Sequence, residues 1–170
     1  MASEVRTKTS RKSADAGKLG EGDKVPDFAL ATDAGTEISR ASLKGKPYVL
    51  YFYPRDNTSG CTREAVDFSA AAAKFAKLGV EVVGVSKDSL ASHEKFREKH
   101  ELKLTLASDP EVDTAKTFGV WSEKSLYGRK FMGMERATFL VDAKGTVAAA
   151  WRKVKVPGHV AAVLEAAKKL

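Results

Sequence analysis

The apolar positions of the chain fall into segments of two kinds. Tyr48–Tyr53 is an unbroken apolar run closed by Pro54, and Val80–Ser86 is a second, mostly apolar run. Continuous runs of this length predict strands buried on both faces, as in the middle of a sheet. Between them Ala65, Phe68, Ala72, Phe75 and Leu78 recur at helical spacing and predict one long amphipathic helix, stopped by Gly79. The alanine run Ala70–Ala73 inside it is strong helix former. Upstream, Asp27–Ala31 and Thr36–Ser39 flank the turn signal Asp33–Gly35 and predict a small hairpin, and Ser42–Lys44 a helical turn ended by Gly45. Downstream, Asp88 or Ser89 caps a charged helix that runs to about His100. Leu102–Ala107 then predicts a strand and Asp113–Phe118 a short helix. Thr138–Val141 and Thr146–Trp151 are two strands about the turn Asp142–Gly145. A last helix, Val160–Lys169, carries Val160, Val163, Leu164 and Ala167 on one side.

Strands alternate with helices first, and the chain closes with a hairpin and a helix. That order predicts an α/β domain with a central mixed sheet and helices on both faces, the element sequence of a thioredoxin-like fold. The length of 170 residues suits a single domain. Residues 1–20 are polar, rich in Ser, Thr, Lys and Ala and without aromatics, so they are expected to form a disordered basic tail, with 21–170 as the folded domain. No apolar run is long enough to span a bilayer, and the N-terminus lacks the apolar centre of a secretory signal. The expectation is a cytoplasmic protein that uses no membrane. The net charge is +7, but no Lys/Arg run is dense and no zinc-finger spacing occurs, so a solvated basic surface is favoured over a nucleic-acid site. His93, His100 and His159 have no spacing that suggests a metal, and no metal or cofactor is expected.

The chain has one cysteine, Cys61, which excludes an internal disulfide and a cysteine-rich metal site. A lone cysteine is commonly a small buried hydrophobe. This one, however, follows a buried strand and a polar loop, Arg55–Gly60, at the start of a predicted helix. A helix N-terminus carries partial positive charge and unpaired N–H groups, which favour a thiolate, the reactive form of the side chain. Arg55 and Arg63 flank it in sequence. Thr58, three residues earlier, is fit either to cap the helix or to offer its hydroxyl to a bound oxygen.

The segment Tyr51–Phe68 resembles the active-site segment of peroxiredoxins, whose Pro-x-x-x-Thr-x-x-Cys signature is met by Pro54, Thr58 and Cys61. More narrowly it is similar to the bacterioferritin comigratory protein, or peroxiredoxin Q, subfamily. The stretches Val120–Arg129, Met134–Asp142 and Trp151–Val156 resemble the same subfamily in the same order. The resemblance implies a thiol peroxidase in which Cys61 attacks a peroxide and becomes a sulfenic acid. It implies that Arg136 and the backbone N–H groups near Cys61 hold the substrate, that Thr58 hydrogen-bonds to it and that Pro54 shields the sulfur from water. Glu64 and Gly60 are implied as weaker, orienting residues, with Glu64 directed at Arg136. Without the resemblance, Arg136 reads equally as a surface ion-pair residue, Thr58 as a cap, Pro54 as a strand terminator and Glu64 as an acid favoured by the helix dipole.

Two positions depart from the subfamily pattern. Val66 stands where many members carry a resolving cysteine, and Ser59 where they usually carry proline. The expectation is therefore a one-cysteine peroxidase acting on hydrogen peroxide and organic hydroperoxides. Its sulfenic acid would be reduced by an external thiol: thioredoxin, glutaredoxin or a small thiol. A redox sensor that passes oxidation to a partner by mixed disulfide is the alternative. The expected assembly is a monomer or weak homodimer.

Overall fold

The computed structural model describes residues 19–170. Among them, a seven-stranded mixed sheet runs in the order β2-β1-β5-β4-β3-β8-β9. Its strands are β1 (Ala29–Thr32), β2 (Glu37–Ser39), β3 (Tyr48–Phe52), β4 (Glu81–Ser86), β5 (Thr105–Ser108), β8 (Ala137–Val141) and β9 (Val147–Trp151). β3, β4 and β5 are parallel, and the outer strands pair antiparallel. A separate two-stranded ribbon is formed by β6 (Trp121–Leu126) and β7 (Arg129–Met134). The helices are α1 (Ser59–Ala70), α2 (Ala72–Lys77), α3 (Leu90–His100), α4 (Asp113–Thr117) and α5 (His159–Ala167). The α/β fold with a central mixed sheet, expected from the element order, is borne out.

The period-two alternation of a strand divides β3 between two cores. Tyr48, Leu50 and Phe52 point to one side, with Phe28, Leu43, Ala115 of α4, Phe118 and Phe139. Val49, Tyr51 and the following Tyr53 point to the other, with Phe68 of α1, Phe75 of α2, Phe96 of α3 and Val163 of α5. An apolar run in the sequence thus becomes the central strand because both of its faces are covered. The β3–β8 register sets Phe52 opposite Ala137, so the carboxyl end of β3 lies beside the residue that precedes β8, Arg136.

The structure departs from expectation at four places. The long helix is broken at Ala71, whose N–H is shared between the Asp67 and Phe68 carbonyls at 3.2 and 3.1 Å. Propensity alone favours continuity through the alanines, but the break keeps both Phe68 and Phe75 in the core and turns Leu78 outward. The ribbon β6–β7 was not among the predicted elements. Its residues are largely exposed on both faces, so no apolar alternation marks it, and its turn rests on positive φ at Tyr127 and Gly128. The strand expected over Leu102–Ala107 begins only at Thr105; Leu102 and Leu104 are core residues of the preceding loop. Residues 1–18 of the expected tail lie outside the described residues. Leu19 and Gly20, also assigned to that tail, are held to the domain: the Leu19 carbonyl accepts from Arg152 Nη2 at 2.8 Å, and Gly20 N–H donates to Asp23 at 2.9 Å.

Gly84 of β4 faces Tyr51, and a Cβ built there would come within 2.8 Å of the tyrosine ring carbon Cζ and its hydroxyl. Tyr51 is fully buried and stacked on Phe68, with centroids 4.5 Å apart, so it has no room to yield. Gly84→Ala is expected to destabilise the fold by about 1–3 kcal/mol, read as a lower urea midpoint at unchanged m-value.

Candidate active site

β3 ends at Pro54, which follows the last bond to β4, Tyr53 N–H to the Val85 carbonyl at 3.0 Å, and has no N–H of its own to extend the sheet. The chain then turns through Asn57, which holds φ at 66°, and α1 begins at Ser59. Thr58 is the N-cap residue, yet its side chain makes no capping bond. Its Oγ1 donates back to the Arg55 carbonyl at 3.2 Å. Of the two roles open to Thr58 in the sequence, capping is not the one adopted, and the first-turn N–H groups of α1 are left for another acceptor.

Cys61 lies in that first turn and is 1% exposed. Arg136, carried to it by the β3–β8 pairing, places Nη2 3.4 Å from Cys61 Sγ and donates from Nη1 to Glu64 Oε1 at 2.7 Å. One guanidinium therefore spans the cysteine and the carboxylate one helical turn beyond it. Gly60 makes room for this approach: a Cβ there would sit 3.2 Å from Arg136 Nη2. The structure thus brings together Gly60, Cys61, Glu64 and Arg136, while Pro54 and Thr58 lie on the segment that leads into α1. It does not bring in Arg55 or Arg63, expected to lend charge to the sulfur. Both are exposed, and Arg63 is turned along the helix toward Asp67, 3.7 Å away.

The electrostatics follow from burial. Glu64 is fully buried and its Oε2 has no hydrogen-bond partner. Burial outweighs the attraction of Arg136 and pushes its carboxyl up to about 7. Burial alone would lower the Arg136 value, but Cys61 and Glu64 together reverse this and hold its charge more firmly. His159 accompanies Thr138 behind the site, 2.8 Å from Oγ1; burial, then the Arg136 charge, push its imidazole down to about 4, so it is neutral at physiological pH.

Sequence reasoning assigned no site role to Asp56 or His93, which lie buried behind the loop, 2.7 Å apart from Oδ2 to Nδ1. Their signal in the sequence was faint. His93 stands three residues before Phe96, on the buried side of α3, a place that suits a histidine only with polar partners.

A family model described as AhpC/TSA family matches residues 21–150. The chain belongs to this family. It is 46% identical over 149 residues to the peroxiredoxin Bcp of Bacillus subtilis, covering 88% of this chain and 95% of that one. Among solved structures it is similar to the bacterioferritin comigratory protein of Xanthomonas campestris, described with a trapped intermediate and ligand in alkyl peroxide reduction. That match has a TM-score of 0.80 and 42% identity, over 84% of this chain and 90% of the other. A Cys→Ser variant of Xylella fastidiosa PrxQ matches with a TM-score of 0.83 and 35% identity, over 89% and 96%. The chain is thus a peroxiredoxin of the Bcp/PrxQ type with a thioredoxin-like fold, a thiol-dependent peroxidase that lacks the usual resolving cysteine.

In this peroxiredoxin the raised Glu64 carboxyl makes a distinct stability signature. Its folded-state value lies above its ordinary 4.5, so the folded protein holds the proton more tightly and loses stability as pH rises from about 4.5 to about 7. Glu64→Gln removes this dependence. The stability of the variant relative to wild type is expected to rise on the order of 3 kcal/mol across that window and to be flat above it, measured by denaturant titration at each pH.

Proposed function

We propose that the protein is a one-cysteine peroxidase in which Cys61 is the only redox centre. The thiolate attacks one peroxide oxygen, the O–O bond breaks, and the other oxygen takes a proton and leaves as water or an alcohol. The sulfur loses two electrons and becomes a sulfenic acid. The observation that carries this reading is the Arg136 guanidinium held between Cys61 Sγ and Glu64. A fixed cation there favours the sulfur anion before attack and the oxygen charge that grows as the bond breaks. Arg136 and the first-turn N–H groups hold the peroxide, Thr58 hydrogen-bonds to it, and Pro54 keeps water off the sulfur. Glu64 keeps the guanidinium in place, and Gly60 lets it approach.

The absence of a second cysteine in the chain makes the reductant external. Val66, at the usual resolving position, is 41% exposed on the outer side of α1. A thiol from outside displaces water from the sulfenic acid to give a mixed disulfide, and a second thiol releases Cys61 and leaves as the disulfide of the two. Thioredoxin, glutaredoxin and small thiols all supply this chemistry. The near-complete burial of Sγ suits small peroxides, hydrogen peroxide and compact organic hydroperoxides, in a cytoplasmic monomer or weak homodimer.

Pure protein is expected to consume one equivalent of peroxide and then to turn over on addition of one of these thiols; Cys61→Ser is expected to do neither. Equal consumption by Cys61→Ser would overturn the reading. Arg136→Gln is expected to lower the second-order rate of Cys61 oxidation about 100-fold, with the fold retained by circular dichroism.

A further inference from the structure

Asp56 sits in the middle of the loop that links the end of β3 to α1, and four bonds are spent on it. Its carboxylate accepts from Tyr53 Oη at 2.6 Å, Ser92 Oγ at 2.8 Å and His93 Nδ1 at 2.7 Å, and its N–H donates to Asp88 Oδ2 at 2.8 Å. His93 is fully buried, and its other nitrogen, Nε2, lies 2.8 Å from the Ala107 carbonyl of β5. Both ring nitrogens thus face acceptors, an arrangement satisfied only by the doubly protonated, charged ring. The result is a buried ion pair that ties the loop to α3, to the β4–α3 turn and to β5.

Few local bonds hold this loop. Asn57 keeps a left-handed φ of 66°, and Thr58 makes no capping bond. The Thr58 hydroxyl closes only a short turn onto the Arg55 carbonyl, with Asp56 and Asn57 at its centre. A buried ion pair is a poor way to gain stability alone, since desolvation offsets most of the attraction, but it fixes geometry closely.

We propose that Asp56 and His93 are positioning residues for the peroxide reaction, their ion pair holding Arg55–Thr58 where the Thr58 hydroxyl and the first turn of α1 meet the substrate at Cys61. This rests on the reading of Cys61 as the peroxide-attacking sulfur. The pair touches no reacting atom and acts through Thr58.

The ionisation of the pair adds a signature that a passive scaffold lacks. Around His93 stand Asp56 from the loop, Asp88 from the β4–α3 turn, Tyr53 from the end of β3 and the Ala107 carbonyl from β5. Burial opposes the imidazolium, but the Asp56 bond and charge, the carbonyl and Asp88 outweigh it and raise the histidine above 6.5. Its contribution is complete below about 6.5 and is lost as pH rises through the folded value. Burial would raise the Asp56 carboxyl, but the bonds from His93, Tyr53 and Ser92 bring it below 3.8, so the pair is lost on the acid side only under strongly acidic conditions.

The test compares two reactions of one sulfur. Oxidation by hydrogen peroxide needs Thr58 and the first-turn donors in place; alkylation by iodoacetamide does not. In Asp56→Asn and His93→Gln, oxidation is expected to fall about 10- to 100-fold while alkylation does not fall. Ser92→Ala, which removes one of the bonds to Asp56, is expected to show a smaller change in the same direction. Wild-type oxidation is expected to decline on the alkaline side, as pH rises through the raised folded value of His93, with that limb missing in His93→Gln. Oxidation as fast as wild type in the folded variants, or a fall shared equally by both reactions, overturns the positioning role. Should the two drastic variants fail to fold, a wild-type profile without the limb, or Ser92→Ala oxidised at the wild-type rate, overturns it. Wild type that reacts with iodoacetamide but not with peroxide overturns the functional reading and this inference together.

Discussion

Every feature of the site depends on where one guanidinium is held. Arg136 faces the sulfur of Cys61 through one nitrogen and the carboxylate of Glu64 through the other. Its place is a consequence of sheet register. Because Phe52 pairs with Ala137, the end of β3 and the start of β8 lie side by side, and the residues just beyond each strand converge. A slip of one residue would turn Ala137 and every β8 side chain to the opposite face and carry Arg136 away from the sulfur.

The carboxylate that holds Arg136 does so at a cost. Glu64 is fully buried, one of its oxygens is unpartnered, and its carboxyl is pushed up to about 7. An acid in such surroundings stabilises the fold poorly, yet it gives the guanidinium a fixed partner on the side away from the sulfur. Tyr51 and Phe68, stacked beneath, supply the rigid apolar wall against which the first turns of α1 rest. The arginine is thus aimed by an ion pair and backed by aromatic packing, the kind of prior organisation that makes a charge effective in a reaction.

The loop before the cysteine is organised on the same plan. A second buried ion pair, Asp56 with His93, anchors a segment whose own backbone has little local reason to adopt its course. Two buried acid–base pairs, one in the loop before α1 and one reaching its first turns, therefore accompany a cysteine that has no second cysteine in its own chain. In the proposed cycle oxidation is concentrated at one atom, and everything that follows it is delegated to a thiol from outside.

Local pattern was enough to place the buried strands β3 and β4, the start of α3 at Asp88 or Ser89, of which Ser89 is the cap, the β8–β9 turn and the cysteine at a helix start, because each depends on residues close in sequence. It did not foresee the break at Ala71, where the burial of Phe68 and Phe75 overrides helix propensity, nor the ribbon β6–β7, whose exposed faces carry no apolar period. Pro54, Thr58 and Cys61 were legible as the spacing of a resembled signature, and the same resemblance marked Val66 as the place of the missing cysteine. The contact of Arg136 with Cys61 spans 75 residues and that of His93 with Asp56 spans 37. Such contacts have no local trace. What the sequence determined was a lone cysteine at a helix start and the elements that carry it, with Arg136 and Glu64 implied only by resemblance; what the tertiary structure decided was that the Arg136 guanidinium faces the sulfur and Arg55 and Arg63 do not, because charges meet across a sheet through strand register and not through neighbourhood along the chain.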